Sequence, residues 1–294
     1  MDSNNLTPLR KGVVGVQFLF VAFGATVLVP LLVGLDPSTA LFTAGIGTLI
    51  FHAVTRGKVP IFLGSSFAFI APIIKATELY GLAGTLSGML GVALVYFAMS
   101  ALVKWQGVRV VERLFPPVAI APVIEHIGDV YVVNTVTGKD FVKDPGLHRT
   151  LLGDGLACLF AGLVGGPPVT TYSEVTGAMS LTKITNPQVI RIAAISAILF
   201  SVIGKISALL KSIPSAVLGG IMLLLFGTIA CAGIGNLVNN CIDLSRTRNI
   251  IIVSLTLTVG IGGAVLTWGD FSLSGIGLAA LVGVLLNLIL PKDD

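Results

Sequence analysis

The 294 residues are 54% hydrophobic and only 11% charged, and the formal net charge is +4. A soluble domain usually carries about 25% charged residues, so this composition, with its mean hydropathy of +0.98, excludes a water-wetted globular protein. Nucleic-acid binding is also excluded, because the cations sit in short loops between apolar runs, as membrane insertion selects.

Apolar segments are expected at 12–33, 39–54, 60–74, 82–103, 117–133, 151–164, 169–181, 189–203, 215–234, 250–267 and 273–290. The first follows Arg10-Lys11 and is span-length without a small-residue cleavage site after it, so it reads as a retained helix rather than a signal peptide. Asp36-Pro37, Gly57-Lys58, Asp144-Pro145-Gly146 and Asn186-Pro187 supply breakers between segments. Backbone groups in hydrocarbon must be satisfied internally, so the expected fold is an all-α polytopic membrane protein. Cys158, Cys231 and Cys241 have no metal-type spacing, and no disulfide framework is expected.

Two segments depart from ordinary spans: Pro60 to Pro72, with Gly64-Ser65-Ser66-Phe67 at its centre, and Gly165 to Gly177, with Thr170-Thr171-Tyr172-Ser173-Glu174. Each is short, interrupted by Gly or Pro, and runs from β-branched or aromatic residues into small polar ones. Such a pair in matching halves points to a transporter site built on broken helices, each half-helix offering free N–H groups and its positive dipole end to a solute. Two tight interhelical turns, or small-residue packing faces, fit the same pattern, and the residues alone leave both readings open.

Charges inside apolar segments are costly and tend to be functional. Glu125, His126 and Asp129 lie in the fifth segment, and Glu174 follows the second broken element. Glu125 and Asp129 are four apart, hence on one helical face, an arrangement suited to proton uptake and release. Asp129 also reads as a helix-end residue at the headgroups. Phe67 and Tyr172 would flank a flat ring from the two broken elements, although core packing is the commoner fate of an aromatic. Asp154 reads as a structural acid at a helix start, and His52 and His148, at segment ends, carry no expected role.

Several of these stretches resemble the bacterial uracil permeases of the nucleobase–cation symporter family, which also holds xanthine and ascorbate carriers. They are Gln17 with Phe23-Gly24-Ala25-Thr26-Val27-Leu28-Val29-Pro30, Gly64-Ser65-Ser66-Phe67-Ala68-Phe69, Glu125-His126-Ile127-Gly128, Lys143-Asp144-Pro145-Gly146-Leu147-His148-Arg149 and Thr170-Thr171-Tyr172-Ser173-Glu174. The resemblance implies a fold of two inverted repeats divided into core and gate domains, with two broken helices preceded by short strands. It implies that Glu125 and Glu174 hydrogen-bond the nucleobase amide groups, that Phe67 stacks on the ring, and that Tyr172 and Ser173 donate backbone N–H groups. Glu125, Asp129 and Glu174 are then the proton-coupling residues, with the proton as coupling ion and no cofactor or metal. Val175 stands where the family's tenth-segment signature has Asn, Asp129 where the characterised uracil permease has His, and Phe18 where a His commonly follows the first-helix Gln.

The resemblance also exposes a gap. Leu114-Phe115-Pro116-Pro117 resembles the entry to the family's fifth helix, whereas Pro117 to His126 resembles the later part of the eighth, which places a join near Phe115–Val118. The implied organisation is 1–113 as the first four segments of the core, 114–133 as the joined segment, 134–212 as the second core repeat, and 213–294 as the last three segments of a partly missing gate. With both termini cytoplasmic, the 18 Lys and Arg residues divide 15 inside to 3 outside, whereas a single crossing by the joined segment makes the division even. Cytoplasmic loops carry the excess, so the joined segment is expected to enter and leave on one side or to be distorted.

The implied activity is uracil:proton symport in the bacterial inner membrane. The alternatives are a shortened remnant that binds a nucleobase without transporting it, and a xanthine or other purine carrier. Nucleobase, proton and lipid are the expected partners, with a homodimer as the expected way to cover faces left by the gap. No nucleophile–base pair or metal cluster suggests an enzyme.

Overall fold

A computed structural model describes residues 6–107, 117–214 and 242–291 apart from 263, 269 and 270, with scattered positions between 216 and 238. Leu114, Phe115 and Pro116 of the expected join, and most of the 215–234 segment, lie outside the described residues.

The Pro-containing turns act as helix starts. In α1 (Pro8–Val33) Thr7 caps the amide of Arg10, and in α2 (Pro37–Val54) the Asp36 carboxylate accepts from the amides of Ser38 and Thr39. Asn186 likewise caps the helix that begins at Pro187. A Pro at the first helical position loses no bond, because that N–H has no intrahelical acceptor, and the preceding Asp or Asn satisfies the amides that follow. Gly34 ends α1 in the left-handed region, with φ 77°.

After α2 the chain forms a broken element preceded by a short strand, as the resemblance implied. Residues 60–74 do not form a span: they run extended into the short strand β1 (Leu63–Ser65), then a 3₁₀ turn (Phe67–Phe69), and only then into α3 (Ile70–Gln106). Gly81, at φ 68° and ψ 177°, breaks α3 into two helical pieces, a conformation that a residue with a Cβ rarely adopts. The chain resumes in α4 (Pro117–Thr137) and α5 (Leu147–Val164), then β2 (Val169–Thr171), α6 (Ser173–Thr182), α7 (Pro187–Val202) and the short α8 (Gly204–Lys211).

The expected segment at 250–267 is also revised. Helix α9 (Thr247–Ile261) stops early, and β3 (Val265–Trp268) pairs antiparallel with β4 (Phe271–Ser274) before α10 (Gly275–Ile289). The residues Val265-Leu266-Thr267-Trp268 combine β-branched and aromatic side chains, so hydropathy alone does not separate them from a helix end.

Four described helical stretches, Pro8–Val33, Pro37–Val54, Phe67–Gln106 and Val142–Val164, are long and apolar enough to cross a bilayer, so this is a multi-pass membrane protein. Helices α3 and α2 pack on α5, α7 packs on α1 and α2, and α10 packs on α9 and α4. Close approach depends on missing side chains: a Cβ on Gly155 would meet the Phe97 ring at 2.8 Å, and one on Gly162 would meet Leu90 at 2.8 Å. Small residues of this kind let helices approach where lipid supplies no hydrophobic drive.

Those contacts also fix helix direction. Leu90 lies against Gly162, Phe97 against Gly155, and Ser100 Oγ donates to the His148 carbonyl at 2.6 Å, so α3 and α5 are antiparallel. His126 meets Thr150 and Asp154, and α4 leads into α5 through a short turn, so these two are antiparallel as well. The 82–106 piece of α3 and α4, neighbours among the described helices, are therefore parallel, and Gln106 and Thr137 lie at the same end of the bundle. A salt bridge of 2.6 Å between Lys58, after α2, and Asp144, after α4, marks that end.

Candidate functional site

The two broken elements meet. Strands β1 and β2 pair antiparallel, Leu63 opposite Thr171, Gly64 opposite Thr170 and Ser65 opposite Val169. Among the described residues neither strand has a second strand neighbour, and side chains from flanking helices satisfy outer groups. The Leu63 amide donates to Thr48 Oγ1 of α2 at 2.8 Å, and the Cys158 thiol of α5 donates to the Val169 carbonyl at 2.9 Å. The Tyr172 amide donates to the Phe62 carbonyl at 3.0 Å, which extends the pairing by one rung.

This arrangement corrects the expectation for Tyr172. Its N–H is held by Phe62, and its ring is buried against Gly64, where a Cβ would come within 2.4 Å. Its hydroxyl donates to the Ser65 carbonyl at 2.8 Å and accepts from Thr26 at 3.3 Å. Tyr172 is thus a core aromatic that closes the strand crossing from one side. Phe67, by contrast, begins the 3₁₀ turn and is half-buried.

Helix α4 spans the crossing with acidic side chains. The Ser66 hydroxyl donates to Glu125 Oε2 at 2.9 Å while Ser66 Oγ caps the Ala68 amide at 3.1 Å, so Glu125 grips the start of the first half-helix. One turn on, Thr171 Oγ1 donates to Asp129 Oδ2 at 2.5 Å, and the Ser173 hydroxyl donates to Asp129 Oδ1. The spacing of four places both carboxylates on one face, as expected. The alternative of Asp129 at the headgroups is excluded, since it is buried with both oxygens engaged. Glu174, half-buried in the first turn of α6, completes the group of three carboxylates.

A second buried network lies behind these. His126 places Nδ1 at 2.8 Å from Asp154 Oδ2 and Nε2 at 2.8 Å from Thr150 Oγ1. Thr170 Oγ1 donates to the same Asp154 oxygen at 3.0 Å, and the Tyr96 hydroxyl lies 3.1 Å from Thr170 Oγ1. Asp154 is therefore no helix-start acid. It sits two turns inside α5 and ties that helix to α4 and to β2. The sequence signal was present, a carboxylate and an imidazole within apolar segments, but nothing in the spacing paired Asp154 with His126 across 28 residues.

Gln17 stands apart, exposed on an open apolar groove along α1 with Leu9, Val13 and Phe20. Among the described residues, no cluster of three or more His, Cys, Asp or Glu side chains is arranged to hold a metal ion. The arrangement brings together two half-helix N-termini and the acceptors Glu125 and Glu174, with the half-buried Phe67 at the start of the first half-helix. Such a set offers carboxylate acceptors beside helix-start N–H donors.

The profile of the Permease family matches residues 11–125 and 117–268. The chain belongs to the Permease family. A probable uracil permease of Haemophilus influenzae is 39% identical over 399 residues, covering 99% of this chain and 96% of the relative. The uracil permease of Bacillus caldolyticus is 36% identical over 391 residues, covering 94% and 90%. A putative pyrimidine permease of Escherichia coli (strain K12) is 32% identical over 399 residues, covering 96% and 90%. These alignments exceed the 294 residues of this family member, so a long internal stretch of each relative has no counterpart here. The two family matches overlap at residues 117–125, a range that begins within the expected join near Phe115–Val118.

Proposed function

We propose that this permease carries uracil across the bacterial inner membrane together with a proton, with both termini in the cytoplasm. The observation that supports this most is the crossing of β1 and β2, which sets two half-helix starts beside Glu125 and Glu174. In this reading the two carboxylates accept from the ring N–H groups of uracil. The solute carbonyls meet the Ser173 amide at the start of α6, which a helix leaves without an intrahelical acceptor. Phe67 supplies the stacking ring. Uracil is favoured over a purine because relatives named as uracil permeases align over most of the chain.

Coupling needs a carboxylate that gains and loses a proton as the solute enters and leaves, and Glu125, Asp129 and Glu174 are the three groups placed for it. No cofactor beyond the proton is invoked. The cytoplasmic placement of both termini rests on the 15 to 3 division of Lys and Arg and on the shared end of α3 and α4. A homodimer is the arrangement proposed for covering the faces that the missing stretch leaves bare, and light scattering on detergent-solubilised protein tests it.

The experiment is uptake and binding of labelled uracil by purified protein, with Glu174→Gln as control and xanthine as competitor. Saturable uptake into proteoliposomes under an inward proton gradient, lost in the variant and unaffected by xanthine, supports symport. A second reading follows from the missing internal stretch: a site that binds but has lost the domain against which it moves. Binding without accumulation supports that reading, and displacement by xanthine rather than uracil supports a purine carrier.

A further inference from the structure

Asp129 differs from the other two carboxylates in what it already holds. Glu125 takes one hydroxyl through Oε2. Asp129 uses both oxygens, one on Thr171 at the end of β2 and the other on Ser173 at the start of α6. Between those two residues lies Tyr172, whose amide and hydroxyl are tied to Phe62 and Ser65 of the first broken element. The turn from β2 into α6 is thus pinned on one side by α4 and on the other by β1. Its geometry fixes where the first amide of α6 points.

We propose that Asp129 is a positioning residue, which fastens the strand-to-helix turn of the second broken element to α4 and so sets the first amide of α6, that of Ser173, toward the solute. The inference rests on the uracil-site reading above and narrows it, because it leaves Glu125 and Glu174 as the groups whose protonation follows the solute. The titratable neighbours are Glu125 and His126 on its own helix, Asp154 on α5 and Glu174 on α6. His126 and Asp154 are occupied with each other, so Asp129 meets the second broken element through neutral hydroxyls alone. A hydroxyl both donates and accepts. An amide at position 129 therefore retains much of the link, whereas a methyl group removes it.

The test compares Asp129→Asn, Asp129→Ala and the double variant Thr171→Val/Ser173→Ala in the full chain. Two readouts are used: uracil affinity as a function of pH, and hydrogen exchange of the peptide covering residues 169–182 without ligand. Positioning predicts affinity about tenfold weaker in Asp129→Ala and in the double variant, and only about threefold weaker in Asp129→Asn. The pH midpoint of binding stays at the wild-type value in Asp129→Asn, and exchange in 169–182 rises in Asp129→Ala and the double variant. A shifted midpoint in Asp129→Asn overturns the proposal, because Asp129 is then a titrating group. Wild-type exchange in Asp129→Ala overturns it too, because the turn is then held by other contacts. If the wild-type protein binds no uracil, the substrate reading fails, while the exchange comparison still decides whether Asp129 holds the turn.

Discussion

Gly64 and Tyr172 show how one missing side chain builds the site. The Tyr172 ring occupies the space in which a Cβ on residue 64 would lie, at 2.4 Å, and the strand pairing on either side prevents the backbone from withdrawing. Gly64→Ala is expected to destabilise the protein by about 1–3 kcal/mol through overpacking, read as a lower unfolding temperature in detergent, with uracil binding weakened in parallel. Conversely, Tyr172→Phe removes only a hydroxyl bonded to Ser65 and Thr26. It is expected to cost about 1 kcal/mol and to preserve the pairing, which hydrogen exchange at 63–65 checks. The Asp154–His126 pair has higher stakes. His126→Ala leaves a buried carboxylate with the Thr170 hydroxyl alone, at a cost of about 2 kcal/mol or more. Its signature is a folding yield that His126→Gln partly restores. The carboxylates were legible in the sequence because charge is rare in this chain. Their partners were not, since Ser66, Thr171 and Thr170 are small hydroxyl residues whose roles are set by which helix faces them.

At the scale of elements, the long apolar helices were readable from hydropathy and from the Asp-Pro and Asn-Pro starts. Helices α1, α2, α5 and α7 lie within a few residues of their expected spans. The element misread was the hairpin after α9, whereas the strand before each broken helix was implied by the resemblance. Val265–Trp268 pair with Phe271–Ser274 immediately after them in the chain, and that local pairing captures backbone groups that hydropathy assigned to a helix end. Three-residue strands such as β1 and β2 are stable only because helix side chains finish their edges. Thr48→Val removes the acceptor for the Leu63 amide and is expected to raise exchange at Leu63 by about tenfold. The exposed pair of Lys58 and Asp144 is a contrasting case. Its side chains are 42% and 70% exposed, and Lys58→Ala is expected to change stability by less than about 1 kcal/mol, measurable by the same thermal assay.

For the whole molecule, the parallel course of α3 and α4 is the visible consequence of the stretch that this chain lacks. Positive charge placed both flanks of the joined segment on one side, and the structure sets Gln106 and Thr137 at one end of the bundle for an independent reason, the hydrogen bonds and packing of both helices against α5. A fluorescent reporter fused to the C-terminus is expected to fold and fluoresce, and a phosphatase fused there to remain inactive. The opposite pattern would show that the joined segment crosses the bilayer once and inverts everything after it.

That parallel course bears on how the protein is made. A helix entering the membrane ordinarily forms a hairpin with the one synthesised just before it. Among the described residues, helix α4 has no such antiparallel predecessor, because the 82–106 piece of α3 runs in its own direction, and the partner that satisfies His126 lies in α5. Insertion of α4 must therefore wait until Thr150 and Asp154 have left the ribosome. A nascent chain ending at Gly138 is expected to hold α4 in mixed orientations, and one extended to Gly165 to hold it in a single orientation.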